Sequence, residues 1–250
     1  MKKSILAFTV STALAMVTMS TANAAEVRNV VLVHGAYADG SGWKGVHDIL
    51  VKDGYKVSIV QQPLTSLKDD IAATKRVLDM QKGPVVLVGH SYGGQIITDA
   101  GADEKVKALV YVAALQPDVG ESVISLAKTM ELPNGDVVET PDGYLYLAPE
   151  KFAADFAADL PADVAAFMAV SQMPVAAAAF SATTKIASWR NKPSYGIVAT
   201  KDLALNANLE RWMYKRAGAK ITEIDGSHAV FISQPQAVAN VIKEAARSIK

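Results

Sequence analysis

The sequence predicts an α/β fold, a mostly parallel sheet of about six strands with helices on both faces. Three observations predict it. The runs Val30-Val31-Leu32-Val33, Val85-Val86-Leu87-Val88 and Val106 to Ala113 are almost continuously apolar, as strands covered on both faces must be. Segments of helical spacing alternate with such runs, which is how parallel strands are joined. Two of the runs end in glycine-rich turns, after His34 and after Val88, where a backbone must bend sharply or pass close to another.

The elements follow in order. Arg28 to His34 reads as the first strand and enters the loop Gly35-Ala36-Tyr37-Ala38-Asp39-Gly40-Ser41-Gly42. Trp43 to Lys52 sets Trp43, Val46, Ile49 and Leu50 on one helical face, and Gly54 suits its stop. Tyr55 to Val60 is a second strand. Leu67 to Met80 is a helix with Ile71, Thr74, Val77 and Leu78 on one face, and Gly83-Pro84 breaks it before the third strand. Val106 to Ala113 is the fourth. The alternation then stops. Val137 to Leu147 reads as a hairpin around Pro141-Asp142-Gly143, and Pro149 and Pro161 mark the first turns of two alanine-rich helices. Met168, Met173 and Phe180 sit among alanines there. We expect residues of about 116–189 to be an insertion folded over the sheet as a cap, because both its ends return to one sheet. Ser194 to Thr200 resumes the strands. Leu205 to Ala217 is a helix, Lys220 to Ile224 a last strand and Pro235 to Ile249 a terminal helix.

Of the 250 residues, the first 24 are expected to be a removable leader. Lys2-Lys3 give a positive start, Ile5 to Val17 is apolar but too short to span a bilayer, and Ala22-Asn23-Ala24 fits a small-x-small cleavage site. The expected mature domain is 25–250, periplasmic or secreted. Removing Lys2 and Lys3 from 25 Lys+Arg leaves 23 against 25 Asp+Glu, a net charge of −2. No basic stripe or basic-aromatic clustering marks a nucleic-acid surface, and no later stretch is long and apolar enough for a membrane span. With no cysteine, disulfides and a thiol nucleophile are excluded. Monomer and homodimer are both compatible with this composition.

The chemistry is expected at Gly89-His90-Ser91-Tyr92-Gly93-Gly94. A buried strand, a Gly-x-Ser-x-Gly turn and a helix make the nucleophile elbow of the α/β-hydrolase fold. Side chains at 89 and 93 would crowd the strand against the helix. The turn exposes Ser91 at the helix N-terminus, where amides and the helix dipole favour negative charge. A serine hydroxyl needs a base in hydrogen-bond reach, and the chain has four histidines. His47 falls on a solvated helix face, His90 is locked inside the elbow, and His34 is placed to shape a pocket floor. His228 lies after the last strand, at the sheet edge where the elbow lies and in the fold's order Ser…Asp…His. Asp202, just past a late strand, is the expected partner that fixes the imidazole tautomer. Asp225 is its rival, but it is too near His228 in sequence to face the ring. The oxyanion donors are expected to be the backbone N–H groups of Tyr92 and Ala36. Gly35 is expected in the substrate pocket, where it lets the backbone approach the substrate, and Tyr37, Met173 and Trp189 are pocket residues or plain core packing. The histidines lack metal-ligand spacing, and no phosphate or dinucleotide loop follows a strand. The expected reaction is acyl transfer to water without metal or cofactor, on a small-molecule ester.

Val31-Leu32-Val33-His34-Gly35-Ala36, the elbow, Ala199-Thr200-Lys201-Asp202 and Gly226-Ser227-His228-Ala229 resemble the bacterial relatives of plant methylesterases and hydroxynitrile lyases. The likeness covers 28–249 and includes the cap stretches Asp142 to Leu147 and Phe156 to Pro161. It implies Ser91, Asp202 and His228 as triad, under a mostly apolar cap pocket. Leu203-Ala204-Leu205-Asn206 departs from relatives that often carry a proline there. Three functions fit the resemblance: a carboxylic-ester hydrolase, a carbon–carbon lyase acting on cyanohydrins, and a ligand-sensing binding protein. The plant lyases place a lysine after the catalytic histidine and a threonine after the histidine ending the first strand. Ala229 and Gly35 stand there, which argues against cyanohydrin cleavage.

Overall fold

The computed structural model describes residues 27–130 and 136–249. The expected leader and its cleavage site lie outside them. In chain order the elements begin with strand β1 (Asn29–Val33), helix α1 (Lys44–Lys52), β2 (Lys56–Val60), α2 (Leu67–Asp79), β3 (Val85–His90), α3 (Gly93–Ala100) and β4 (Val106–Val112). Then come α4 (Val123–Ala127), β5 (Val137–Glu139), β6 (Tyr144–Leu147), α5 (Pro149–Phe156), α6 (Ala162–Ser171), β7 (Val175–Ala176) and α7 (Ala177–Ser181). The chain continues with β8 (Ser194–Ala199), α8 (Ala207–Arg216), β9 (Lys220–Ile224), α9 (Val230–Ser233) and α10 (Pro235–Ser248).

Six strands form one parallel sheet in the order β2-β1-β3-β4-β8-β9. The continuous apolar runs have a direct cause. Along β1, Val30 and Leu32 face a core with Trp43, Leu50, Phe231 and Ile242, while Val31 and Val33 face another with Leu78, Ile96 and Ile97. Both faces are covered there, so Val30 to Val33 are apolar at every position. Each large aliphatic side chain fully buried this way contributes about 1.5–3 kcal/mol. The chain winds outward from β1 to β2, then crosses to β3 on the other side. That reversal opens a crevice at the carboxyl ends of β1 and β3. Val33 pairs with Gly89 there, so the loop after β1 and the elbow after β3 leave the sheet side by side.

The cap between β4 and β8 contains the expected hairpin, β5 against β6, and a third short strand, β7, beside them. Pro149 opens α5, where its missing N–H costs nothing. Pro161 sits one residue ahead of α6, at its N-cap position. The helix expected from Trp43 begins one residue later, after a 3-10 turn over Gly40–Trp43. That expected from Leu205 begins at Ala207, because Asn206 accepts from the Asn208 N–H and caps it. Among the described residues, no helix is long and apolar enough to cross a membrane.

Candidate active site

The elbow is built by close approach. A Cβ on Gly89 would lie 2.5 Å from Gly93 O, and one on Gly93 2.7 Å from His34 O. Only glycine lets β3, α3 and the end of β1 meet this closely. Ser91 itself sits at φ 55°, a left-handed conformation that costs a non-glycine residue about 1–3 kcal/mol. Its carbonyl repays part of this by accepting the N–H groups of Gly94 at 2.9 Å and Leu115 at 3.1 Å. The turn leaves Ser91 half-buried at the rim of a cavity of about 190 Å³.

His228 borders the same cavity. Its ring is fixed from several sides. Nδ1 donates to Asp202 Oδ2 at 2.5 Å, with the two side chains 2% and 0% exposed. The Phe156 ring meets it edge-on at 4.7 Å. Asp202 Oδ1 accepts the N–H groups of Ala204 and Leu205, both at 2.8 Å, and this holds the carboxylate in one orientation. With Nδ1 committed, Nε2 is the nitrogen that can accept a proton. The structure forms no hydrogen bond between Ser91 Oγ and this ring; such bonds often tighten only with substrate in place. The rival Asp225 lies outside: its side chain is 70% exposed and pairs with Lys201.

The other histidines serve the frame. His34 is buried, joined to Gly35 O at 2.8 Å and accepting Gln62 N–H at 3.1 Å. It ties the β1 loop to the chain after β2 instead of flooring the cavity. His90 is buried, and its Nε2 donates to the His228 carbonyl at 2.9 Å. Burial, together with the nearby His228, keeps its pKa well below the usual histidine value, so it stays a neutral support for the His228 main chain. His47 is half-buried and bonds Asp48.

Ala36 and Tyr92 line the cavity beside Ser91, Tyr92 at the start of α3. Tyr92 OH donates to Asp70 Oδ2 at 2.9 Å, and Asp70 Oδ1 accepts Leu64 N–H at 2.8 Å. Burial pushes the Asp70 carboxyl up to about 6, against the lowering effect of those two bonds. Tyr37 borders the cavity, held at φ 62° with its ring against Phe180.

Three expected pocket residues are placed differently. Trp189 is buried in the core and donates Nε1–H to Pro117 O at 2.8 Å, while Met173 packs against the same core. Gly35 is buried beneath the elbow, and a Cβ there would lie 2.6 Å from Ser91 Cβ. It makes room for the serine itself rather than for substrate. The apolar walls come instead from Val123, Ile124, Leu145, Phe180, Leu203 and Leu209. Phe180 stands among alanines in the sequence, which carries no signal for the side it faces. Asp155, on α5, is a buried carboxyl bordering the cavity that sequence reasoning also missed.

A further missed residue is Asp159, in the cap motif between α5 and α6. It accepts Ser227 Oγ–H at 2.5 Å, Ser227 N–H at 3.0 Å and Ser233 Oγ–H at 2.7 Å. Ala229 N–H donates to Phe156 O at 2.9 Å. The cap thus grips the residues on either side of His228. Among the described residues, no group of three or more His, Asp or Glu could hold a metal ion.

The sequence profile described as "Alpha/beta hydrolase family" matches residues 30–241. A carbendazim hydrolyzing esterase of Nocardioides sp. is 33% identical over 113 residues, covering 39% of this chain and 46% of that protein. The chain therefore spans under half of that relative in the match. The alpha/beta hydrolase nvfD of Aspergillus novofumigatus is 27% identical over 244 residues, covering 87% of this chain and 96% of that protein. The crystal structure of polyneuridine aldehyde esterase superposes with a TM-score of 0.75 at 20% identity, covering 87% of this chain and 98% of that one.

Proposed function

Since the chain belongs to the alpha/beta hydrolase family, we propose that it hydrolyses small carboxylic esters through an acyl-enzyme on Ser91. The observation that carries this is that Ser91, raised on a strained elbow, and His228, anchored by Asp202, border one cavity. His228 Nε2 takes the hydroxyl proton as Ser91 Oγ attacks the carbonyl carbon. The amides of Ala36 and Tyr92 receive the oxyanion. Collapse breaks the bond to the alkoxy oxygen, which leaves as the alcohol with the proton held on His228. Water then repeats the sequence on the acyl group, with His228 again as base, and releases the acid and Ser91.

Relatives named as esterases support the reaction class. The cavity is close to one of about 150 Å³ that holds a benzene-sized group, so short acyl chains suit it. Gly35 and Ala229 bring neither hydroxyl nor charge to the site, and nothing in it favours cyanohydrin cleavage.

Chromogenic esters of rising acyl length test the reading. Wild type is expected to turn over repeatedly, fastest with short chains. Ser91→Ala is expected to keep only the residual rate of binding and the oxyanion hole, about 10³–10⁴ over water in the type case. Near-wild-type activity in Ser91→Ala contradicts the reading, and a single slow cycle per site in wild type favours a binding protein.

A further inference from the structure

Behind Asp202, away from the cavity, lies a second carboxyl that the reaction above does not use. Glu210, on α8, is completely buried. Its carboxyl faces that of Asp202 at close range, whose carboxylate is itself 0% exposed. Two touching, buried carboxyls cannot both be ionised, because like charges at contact in a dry site repel strongly.

Hydrogen bonds decide which one holds the proton. Asp202 accepts three donors: His228 Nδ1 and the N–H groups of Ala204 and Leu205. Carboxylates with two or three such donors are held ionised. Glu210 accepts one, Ala199 N–H on Oε2 at 3.3 Å. Its Oε1 is buried, and among the described residues no donor bonds it. An oxygen in that position is suited to carrying the hydrogen rather than accepting one.

Arg211 is a neighbouring cation, but its lowering effect on Glu210 is outweighed by burial and by Asp202. Arg211, next on α8, is turned outward to Glu223 of β9 through Nε at 2.8 Å and Nη2 at 2.9 Å. Tyr214, one turn on, gives its hydroxyl hydrogen to Ala114 O at 2.9 Å, and Tyr111 of β4 pairs with Thr98. We propose that Glu210 stands as a neutral carboxylic acid whose O–H donates to the Asp202 carboxylate, making it a positioning residue for the His228–Asp202 pair. It locks the carboxylate plane from behind while His228 holds it from the front. Such a charge-assisted O–H···O⁻ bond is short and strong. Burial, then the neighbouring Asp202 charge, pushes the Glu210 carboxyl well above the usual carboxylate range, in agreement with this placement.

The role rests on the proposed triad, but the protonation state is measurable without it. Infrared difference spectra of wild type minus Glu210→Gln, near neutral pH, should show loss of one carboxylic-acid carbonyl band. Loss of a carboxylate band instead overturns the proposal. Thermal melting gives a second reading. A carboxyl whose pKa is raised on folding contributes stability that is complete below the unfolded value, about 4.3, and is lost as pH rises toward the folded one. The melting temperature of Glu210→Gln relative to wild type should therefore climb as pH rises from about 5 through neutrality. A constant difference counts against a neutral Glu210.

Activity tests the positioning role. Gln keeps a neutral donor of the same shape, so kcat should stay within about tenfold of wild type. Glu210→Leu keeps the bulk without the donor and should lower kcat with KM little changed. A loss of about 10–100-fold is expected, the range for removing outer partners of metal-bound histidines. Equal kcat in the Leu variant overturns the role. Ester hydrolysis that survives Ser91→Ala would instead overturn the triad and leave the infrared result standing.

Discussion

Asp202 and Asp225 are the same residue type at the ends of neighbouring strands, β8 and β9, yet their surroundings give them opposite work. Asp202 is buried and bonded to His228, while Asp225 faces solvent and pairs with Lys201. Surface pairs of the second kind contribute little. Asp202→Asn is expected to lower kcat by orders of magnitude, about 10⁴ where a triad aspartate was so replaced, because the imidazole then holds the wrong tautomer. Asp225→Asn should leave kcat unchanged. Steady-state kinetics of the two variants check this, and a large loss from Asp225→Asn alone would reverse the assignment. Ser91, Asp202 and His228 were legible in the sequence as residues ending strands on one edge, in an order that a parallel sheet brings together. Trp189 and Met173 were not legible as core residues. Whether an apolar side chain in the cap faces the cavity or the core depends on helix rotation, and composition carries no record of that. Glu210 was hidden for the same reason: on a helix pattern a buried carboxyl reads like any solvated one.

At the level of elements, strands and helices of the sheet followed from their apolar periodicity, since burial on both faces leaves a strong pattern. The cap gave a weaker one. Its hairpin and its two proline-started helices could be read, whereas β7 is only two residues long and leaves no periodicity. The α5–α6 corner does more than cover the cavity. Asp159 holds Ser227 and Ser233, and the Phe156 carbonyl holds Ala229. Asp159→Ala removes the acceptor for Ser227, beside His228. The corner is partly open to water, which can replace some of these bonds, so a stability loss of about 1 kcal/mol is expected. The larger effect should fall on kcat, as the loop carrying His228, the proposed base, loses one of its grips. Denaturant melts and kinetics on the same preparation check this; a variant with unchanged kcat would reduce Asp159 to a surface residue.

Over the whole molecule, the reversal of strand order between β1 and β3 decides where chemistry is possible, and that reversal is stitched together by Asp70. From α2 it reaches Tyr92 at the start of α3 and Leu64 ahead of α2. Burial raises its carboxyl to about 6, above an ordinary value of about 3.9. The sign follows: its contribution to stability is complete below about pH 4 and is lost as pH rises through about 6. Asp70→Asn removes this titration. Its melting temperature relative to wild type should rise between about pH 4 and about pH 7, then level off. A difference that falls over that range would contradict the buried, raised carboxyl.

Ser91 is proposed to become acylated with His228 as its base. The most direct measurement is intact-mass and peptide analysis after exposure to an aryl phosphonate, which phosphonylates an attacking serine, resembles the tetrahedral intermediate and does not turn over. The expected result is one adduct per chain, on the peptide containing Ser91, absent from Ser91→Ala and formed far more slowly in His228→Ala. An adduct on another residue, or equal labelling of Ser91→Ala, would contradict the claim.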